Sequence, residues 1–80
     1  MKALRFTASW CQPCKMLAKT LEETNTAMPI EVIDIDVHPE LAMDYGVRSV
    51  PTLIMLDGDI EVKRFVGVKT KIELENWLGA

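Results

Sequence analysis

No apolar run in this sequence approaches the ~20 residues that a membrane-spanning helix needs, so no place in a bilayer is expected. Basic residues do not dominate either. Nine lysines and arginines against twelve aspartates and glutamates give a net charge of −3. A surface of that sign disfavours nucleic acid and anionic lipid. The start of the chain lacks the pattern of a signal peptide, because Met1 and Lys2 lead directly into strand-like residues. The expected compartment is therefore a reducing cytoplasm. There is no linker, repeat or low-complexity stretch. Histidine occurs once and cysteine twice. That is too few for a four-ligand zinc site without carboxylates, and for an iron–sulfur cluster held within one chain. No bound cofactor or metal is expected. Residues 1–80 are expected to form one domain with a small core, burying ~60% of the surface of the unfolded chain.

What is present is a regular succession of short elements. Residues 2–8 read as a strand with Leu4, Phe6 and Ala8 on one face. Residues 12–27 read as a helix that buries Leu17 and Leu21, with Cys14 and Ala18 beside them. "MPIEVIDIDV" is a second strand, with Ile33, Ile35 and Val37 on one face and Asp34 and Asp36 directed to solvent or a cation. "HPELAMDYG" is a short helix with Pro39 in its first turn and Gly46 as its stop. "TLIML" is an uninterrupted apolar run, as expected of a central strand buried on both faces. "DGD" is a hairpin turn. "IEVKRFV" is an edge strand whose alternation breaks at Lys63–Arg64, the expected place for a bulge. "TKIELENWLG" is a helix with capping-box spacing between Thr70 and Glu73, a buried stripe of Leu74, Trp77 and Leu78, and Gly79 as its end. The order βαβαββα implies one mixed four-stranded sheet packed with three helices, an α/β fold.

Both cysteines lie in "WCQPC", where the first strand gives way to the first helix. Cys11 falls at the helix cap and Cys14 one turn inside, close enough for a bond between their sulfurs after a small adjustment. Pro13 has no N–H to offer, and the first turn requires none. Free N–H groups and the positive end of the helix dipole favour a thiolate at Cys11. Cys11 is thus the attacking sulfur, and the more buried Cys14 is the resolving one. Haem attachment is excluded because Lys15, not histidine, follows Cys14. The alternative is that both cysteines merely fill core.

With these residues in place, the sequence resembles a thioredoxin over nearly its whole length. "WCQPCK" resembles the family's active-site segment, with Cys11 as nucleophile, Cys14 as resolving thiol, and Trp10, Gln12 and Pro13 beside them facing substrate. "VPT" resembles the family's cis-proline segment, which implies a cis bond before Pro51 and a Val50 backbone open to a substrate strand. "VG", Val66–Gly67, resembles the glycine that borders the substrate groove. The resemblance implies a fold of the thioredoxin type, here without the usual first strand and helix, and a monomer that reduces protein disulfides. It further implies recharging by a thioredoxin reductase using FAD and NADPH. Ribonucleotide reductase, methionine sulfoxide reductases and peroxiredoxins are the implied kinds of target. Two alternatives stand beside it. One is a glutaredoxin-like, glutathione-dependent reductase, against which "VGVKT" counts because a Gly-Gly and an aspartate are usual there. The other is a thioredoxin-fold binding subunit whose thiols are dispensable. Three positions depart from the family pattern. Arg5 stands where a buried aspartate is usual, Val32 where its companion lysine is, and Thr7 where a tryptophan is common. Arg5 is expected to face water rather than the thiols.

Overall fold

The computed structural model describes residues 1–79. Four strands and three helices follow in the order β1 Lys2–Thr7, α1 Gln12–Glu22, β2 Ile30–Asp34, α2 Pro39–Asp44, β3 Thr52–Asp57, β4 Ile60–Val66 and α3 Lys71–Leu78. The sheet order is β2-β1-β3-β4. β1 runs parallel to β2 and antiparallel to β3, and β3 and β4 form an antiparallel hairpin. This is the mixed sheet expected from the element order. β3 is a central strand, and Thr52 to Leu56 are all buried.

The pleat divides the core into two layers. Leu4, Phe6, Ile33, Ile54 and Leu56 form one, closed by Leu41, Tyr45 and Val47 from α2 and the loop after it. Ala3, Leu17, Leu53 and Leu74 form the other, beneath α1 and α3, with Leu21, Ile30, Phe65 and Trp77 around them. Trp77 is only partly buried. Its ring meets Phe65 edge-on with centroids 5.0 Å apart, and Lys63 Nζ lies 5.0 Å over it.

Three boundaries differ from the sequence expectation. α1 stops at Glu22 rather than at residue 27. Thr24 turns its hydroxyl back to the Thr20 carbonyl, and Thr26 accepts from the Met28 N–H. Side chains that bond to nearby backbone compete with helix in this way. β2 stops at Asp34 because Asp34 Oδ1 accepts the Asp36 N–H and its carbonyl accepts from Val37 and His38. Val37 therefore leaves the strand and becomes exposed. The bulge in β4 falls at Val62, not at Lys63–Arg64. Met55 pairs with Lys63 and Leu56 with Glu61, which leaves Val62 as the extra residue. Lys63 and Arg64 keep regular partners and go to opposite faces, Lys63 to Trp77 and Arg64 to the side of α2.

Candidate redox site

The site forms where β1 ends and α1 begins. Ala8, Cys11 and Cys14 make a small buried cluster against Ile35 and Val50. Cys11 is the N-cap of α1 and has extended backbone angles. Pro13 occupies the first turn, where its missing N–H costs nothing. Cys11 and Cys14 are joined as a disulfide with their α-carbons 5.3 Å apart. The Cys14 N–H points at the Cys11 sulfur, 3.2 Å away, so that sulfur takes the place of a capping oxygen.

The two sulfurs differ less in exposure than expected. Cys11 is 4% exposed and Cys14 1%. What distinguishes them is their surroundings. Cys11 Sγ lies 3.7 Å from the Val50 carbonyl oxygen. As part of a disulfide it has no proton to donate, so this is a contact, and the reduced thiol has an acceptor there. The Val50–Pro51 bond is cis. Pro51 is buried, and its carbonyl accepts the Gly67 N–H at 2.9 Å. That bond ties the end of β4 to the loop before β3. Gly67 has a φ of +97° and open space where a Cβ would be, so its backbone angle is what calls for glycine there. Trp10, Gln12 and Pro13 are exposed on the surface around the sulfurs, Trp10 at 67%.

Two contacts around the site have no signal in the sequence. Trp10 Nε1–H donates to Asp36 Oδ2 at 2.9 Å, across 26 residues. Asp36 was expected to meet solvent or a cation, and a neutral donor takes that place. Arg64 forms a two-point pair with Glu61, at 2.7 and 2.6 Å, and also donates to the Tyr45 carbonyl at 2.7 Å. This anchors the end of α2 on β4, just before the loop that carries Val50. Hydrogen bonding from Arg64 holds the Glu61 carboxyl below its ordinary range, and the same pair raises the Arg64 pKa.

Arg5 is neither in open water nor at the thiols. It is half-buried in a groove of about 240 Å³ with Ala18, Leu21, Glu22, Ile30 and Val32. Burial pushes its pKa down, and the Glu22 charge pushes it back up. Among the described residues no group of three or more His, Cys, Asp or Glu is placed to hold a metal ion, and no helix is long and apolar enough to cross a membrane.

A mixed sheet of this order, with a CxxC disulfide capping the helix after its central parallel strand, defines a thioredoxin-like domain. A family model for thioredoxin matches residues 2–80, and the chain belongs to the thioredoxin family. It is 44% identical over 73 residues to a thioredoxin of Mycobacterium bovis, covering 86% of this chain and 63% of that protein. It is 42% identical over 73 residues to a bifunctional thioredoxin reductase/thioredoxin of Mycobacterium leprae, covering 86% of this chain and 16% of that one. The chain thus spans less than two thirds of either relative. A mutant thioredoxin of Halobacterium salinarum has a similar structure, with a TM-score of 0.87 at 35% identity, covering 95% of this chain and 69% of that one.

Proposed function

We propose that the protein is a thiol–disulfide oxidoreductase that reduces disulfides of other proteins. The observation that carries this reading is the Cys11–Cys14 pair at the N-terminus of α1, with the Cys14 N–H aimed at the Cys11 sulfur. In the reduced protein that N–H and the positive end of the helix stabilise a Cys11 thiolate. The thiolate attacks one sulfur of a target disulfide. A Cys11–target disulfide forms, and the other target sulfur leaves as a thiolate that takes up a proton. Cys14 loses its proton and attacks the Cys11 sulfur. The Cys11–Cys14 disulfide closes, and the second target sulfur is released. Two electrons have passed to the target, and the domain is left in the oxidised form.

Trp10, Gln12, Pro13, Val50, Pro51 and Gly67 form the surface on which the target strand rests. Residues 1–80 act as one domain, placed in the cytoplasm. Its partners are disulfide-containing proteins, of which ribonucleotide reductase, methionine sulfoxide reductases and peroxiredoxins are candidates. Electrons come from a thioredoxin reductase that carries FAD and draws on NADPH. The bifunctional thioredoxin reductase/thioredoxin of Mycobacterium leprae supports that pairing.

Reduction of insulin with dithiothreitol tests the activity. The parent protein accelerates it and Cys11→Ser does not. Equal rates for the two would refute the proposal. Replacing dithiothreitol by glutathione, or by thioredoxin reductase with NADPH, tests the reductant. Turnover with glutathione alone would move the protein to the glutaredoxin-like reading.

A further inference from the structure

Glu61 and Arg64 lie three residues apart in β4. In a regular strand, residues at that spacing point to opposite faces. The extra residue at Val62 changes this. Ile54 and Leu56 of β3 share one face, in the core layer beside α2, and they pair with Arg64 and Glu61 respectively. The bulge therefore brings the carboxylate and the guanidinium onto the same face, toward α2. An unbulged strand would send Glu61 to the α3 side.

The pair fixes a direction. Arg64 Nε donates to Glu61 Oε2 at 2.7 Å, and Nη2 donates to Oε1 at 2.6 Å. Two parallel bonds of this kind set the plane of the guanidinium. The second hydrogen of Nη2 then points at the Tyr45 carbonyl oxygen, 2.7 Å from the nitrogen. Tyr45 is the C-cap of α2, and carbonyls at a helix end have no partner within the helix.

β4 thus holds the segment between α2 and β3 at both ends. Residues 45–51 belong to no helix or strand. Arg64 donates to the Tyr45 carbonyl at the start of the segment, and the Gly67 N–H donates to the Pro51 carbonyl at its end. Between these points the Val47 N–H donates to the Ala42 carbonyl at 2.8 Å, and the Thr52 hydroxyl donates to the Ser49 carbonyl at 2.7 Å. The same segment carries Val50, whose carbonyl oxygen lies 3.7 Å from the Cys11 sulfur.

We propose that Arg64, aimed by Glu61, is a positioning residue for disulfide exchange. It holds the segment that sets Val50 against Cys11, and so fixes where a target strand lies relative to the attacking sulfur. The proposal rests on the redox reading. Arg64 acts through the segment and not on the reacting sulfurs. A segment held at its start as well as its end loses less freedom when a target strand binds, so the clasp favours binding more than the exchange step. Both side chains are about a third exposed, at 32% and 36%. An ion pair with that exposure contributes little to global stability, so loss of the clasp should loosen the segment without unfolding the domain.

Steady-state reduction of insulin by the parent, Glu61→Gln, Arg64→Met and the double variant tests this. Arg64→Met should raise KM about three- to tenfold and change kcat by less than about twofold. Glu61→Gln should move KM in the same direction. The double variant should match Arg64→Met, because Glu61 acts through Arg64. An unchanged KM in Arg64→Met, a fall in kcat as large as the rise in KM, or additive effects of the two substitutions would each overturn the proposal. Amide exchange of the oxidised protein gives a readout free of turnover. In Arg64→Met the Val47 and Gly67 amides should exchange faster, with those of β3 unchanged. Unchanged exchange at both, or equal acceleration throughout β3, would overturn the proposal even where insulin is reduced. A parent that does not reduce insulin counts against the redox reading, and exchange then decides whether the clasp holds the segment. Should Arg64→Met fail to fold, Glu61→Gln carries both measurements.

Discussion

The indole N–H of Trp10 is held by Asp36, with 2.9 Å between nitrogen and oxygen, because the parallel strands β1 and β2 end side by side and release the two residues at the same end of the sheet. The bond holds a ring that is 67% exposed. Asp36 sits in the turn that Asp34 builds, so the aspartates form a short chain from the end of β2 to the redox site. Asp36→Ala should free the ring. In a Trp77→Phe background, which leaves Trp10 as the only tryptophan, fluorescence anisotropy should fall. KM for a protein disulfide should rise more than kcat falls, because the ring contributes to binding and not to sulfur exchange. Unchanged anisotropy would mean that packing alone fixes Trp10.

Cys11 and Cys14 are both nearly inaccessible in the oxidised form, so exposure alone assigns no roles. The N-cap position does. The Cys14 N–H is aimed at the Cys11 sulfur, and among the described residues no matching donor is aimed at the Cys14 sulfur. After reduction, brief iodoacetamide treatment followed by mass spectrometry should label Cys11 first. Cys14→Ser should accumulate mixed disulfides with targets, and Cys11→Ser should not. Preferential labelling of Cys14 would reverse the assignment.

The fold was legible because its signals are local. The unbroken run at 52–56 announced a central strand, Thr70 and Glu73 announced a capped helix, and the strand-to-helix change around Cys11 placed the site. The ends of α1 and β2 were less legible. They depend on Thr24, Thr26 and Asp34 bonding to nearby backbone, and these residue types also occur inside regular elements. The Trp10–Asp36 and Arg64–Tyr45 bonds left no trace, since they join residues 26 and 19 apart that only the finished sheet brings together. Arg5 illustrates a third case. Its half-buried groove exists only where α1 passes over the β1–β2 pair, which no periodicity encodes.

That placement makes a prediction for Arg5. The side chain lies beside Ala18, Leu21 and Glu22. These positions are four to eight residues beyond Cys14, about 6–12 Å along the helix axis. Groove water and Glu22 screen the charge over that distance. In dilute solution Arg5→Met should leave the thiolate titration of Cys11 and the reduction potential unchanged. A raised Cys11 pKa with a more reducing couple would show that the cation acts on the thiols after all.

α3 places Leu74 in the core layer of Ala3, Leu17 and Leu53, and its start depends on a reciprocal cap. Thr70 Oγ1 accepts the Glu73 N–H at 3.2 Å, and Glu73 Oε1 accepts the Thr70 N–H at 2.9 Å. Thr70→Ala should cost about 1 kcal/mol, which for a chain this small lowers Tm by about 4–8 °C. The same cap gives a pH signature. The Thr70 backbone N–H, then its side chain, hold the Glu73 carboxyl below its ordinary value, and Lys69 adds to this. The folded pKa therefore lies below the unfolded one, about 4.3. A group shifted in this direction contributes fully above the unfolded value, and its contribution disappears as pH falls through the folded one. Glu73→Gln keeps an acceptor at the same position but cannot titrate. Its stability should fall less steeply than the parent's below about pH 4, as read from urea midpoints at successive pH values. Glu61 titrates in the same direction in both proteins. The difference between the two curves therefore belongs to Glu73, and parallel curves would mean that its carboxylate does not hold the cap in solution.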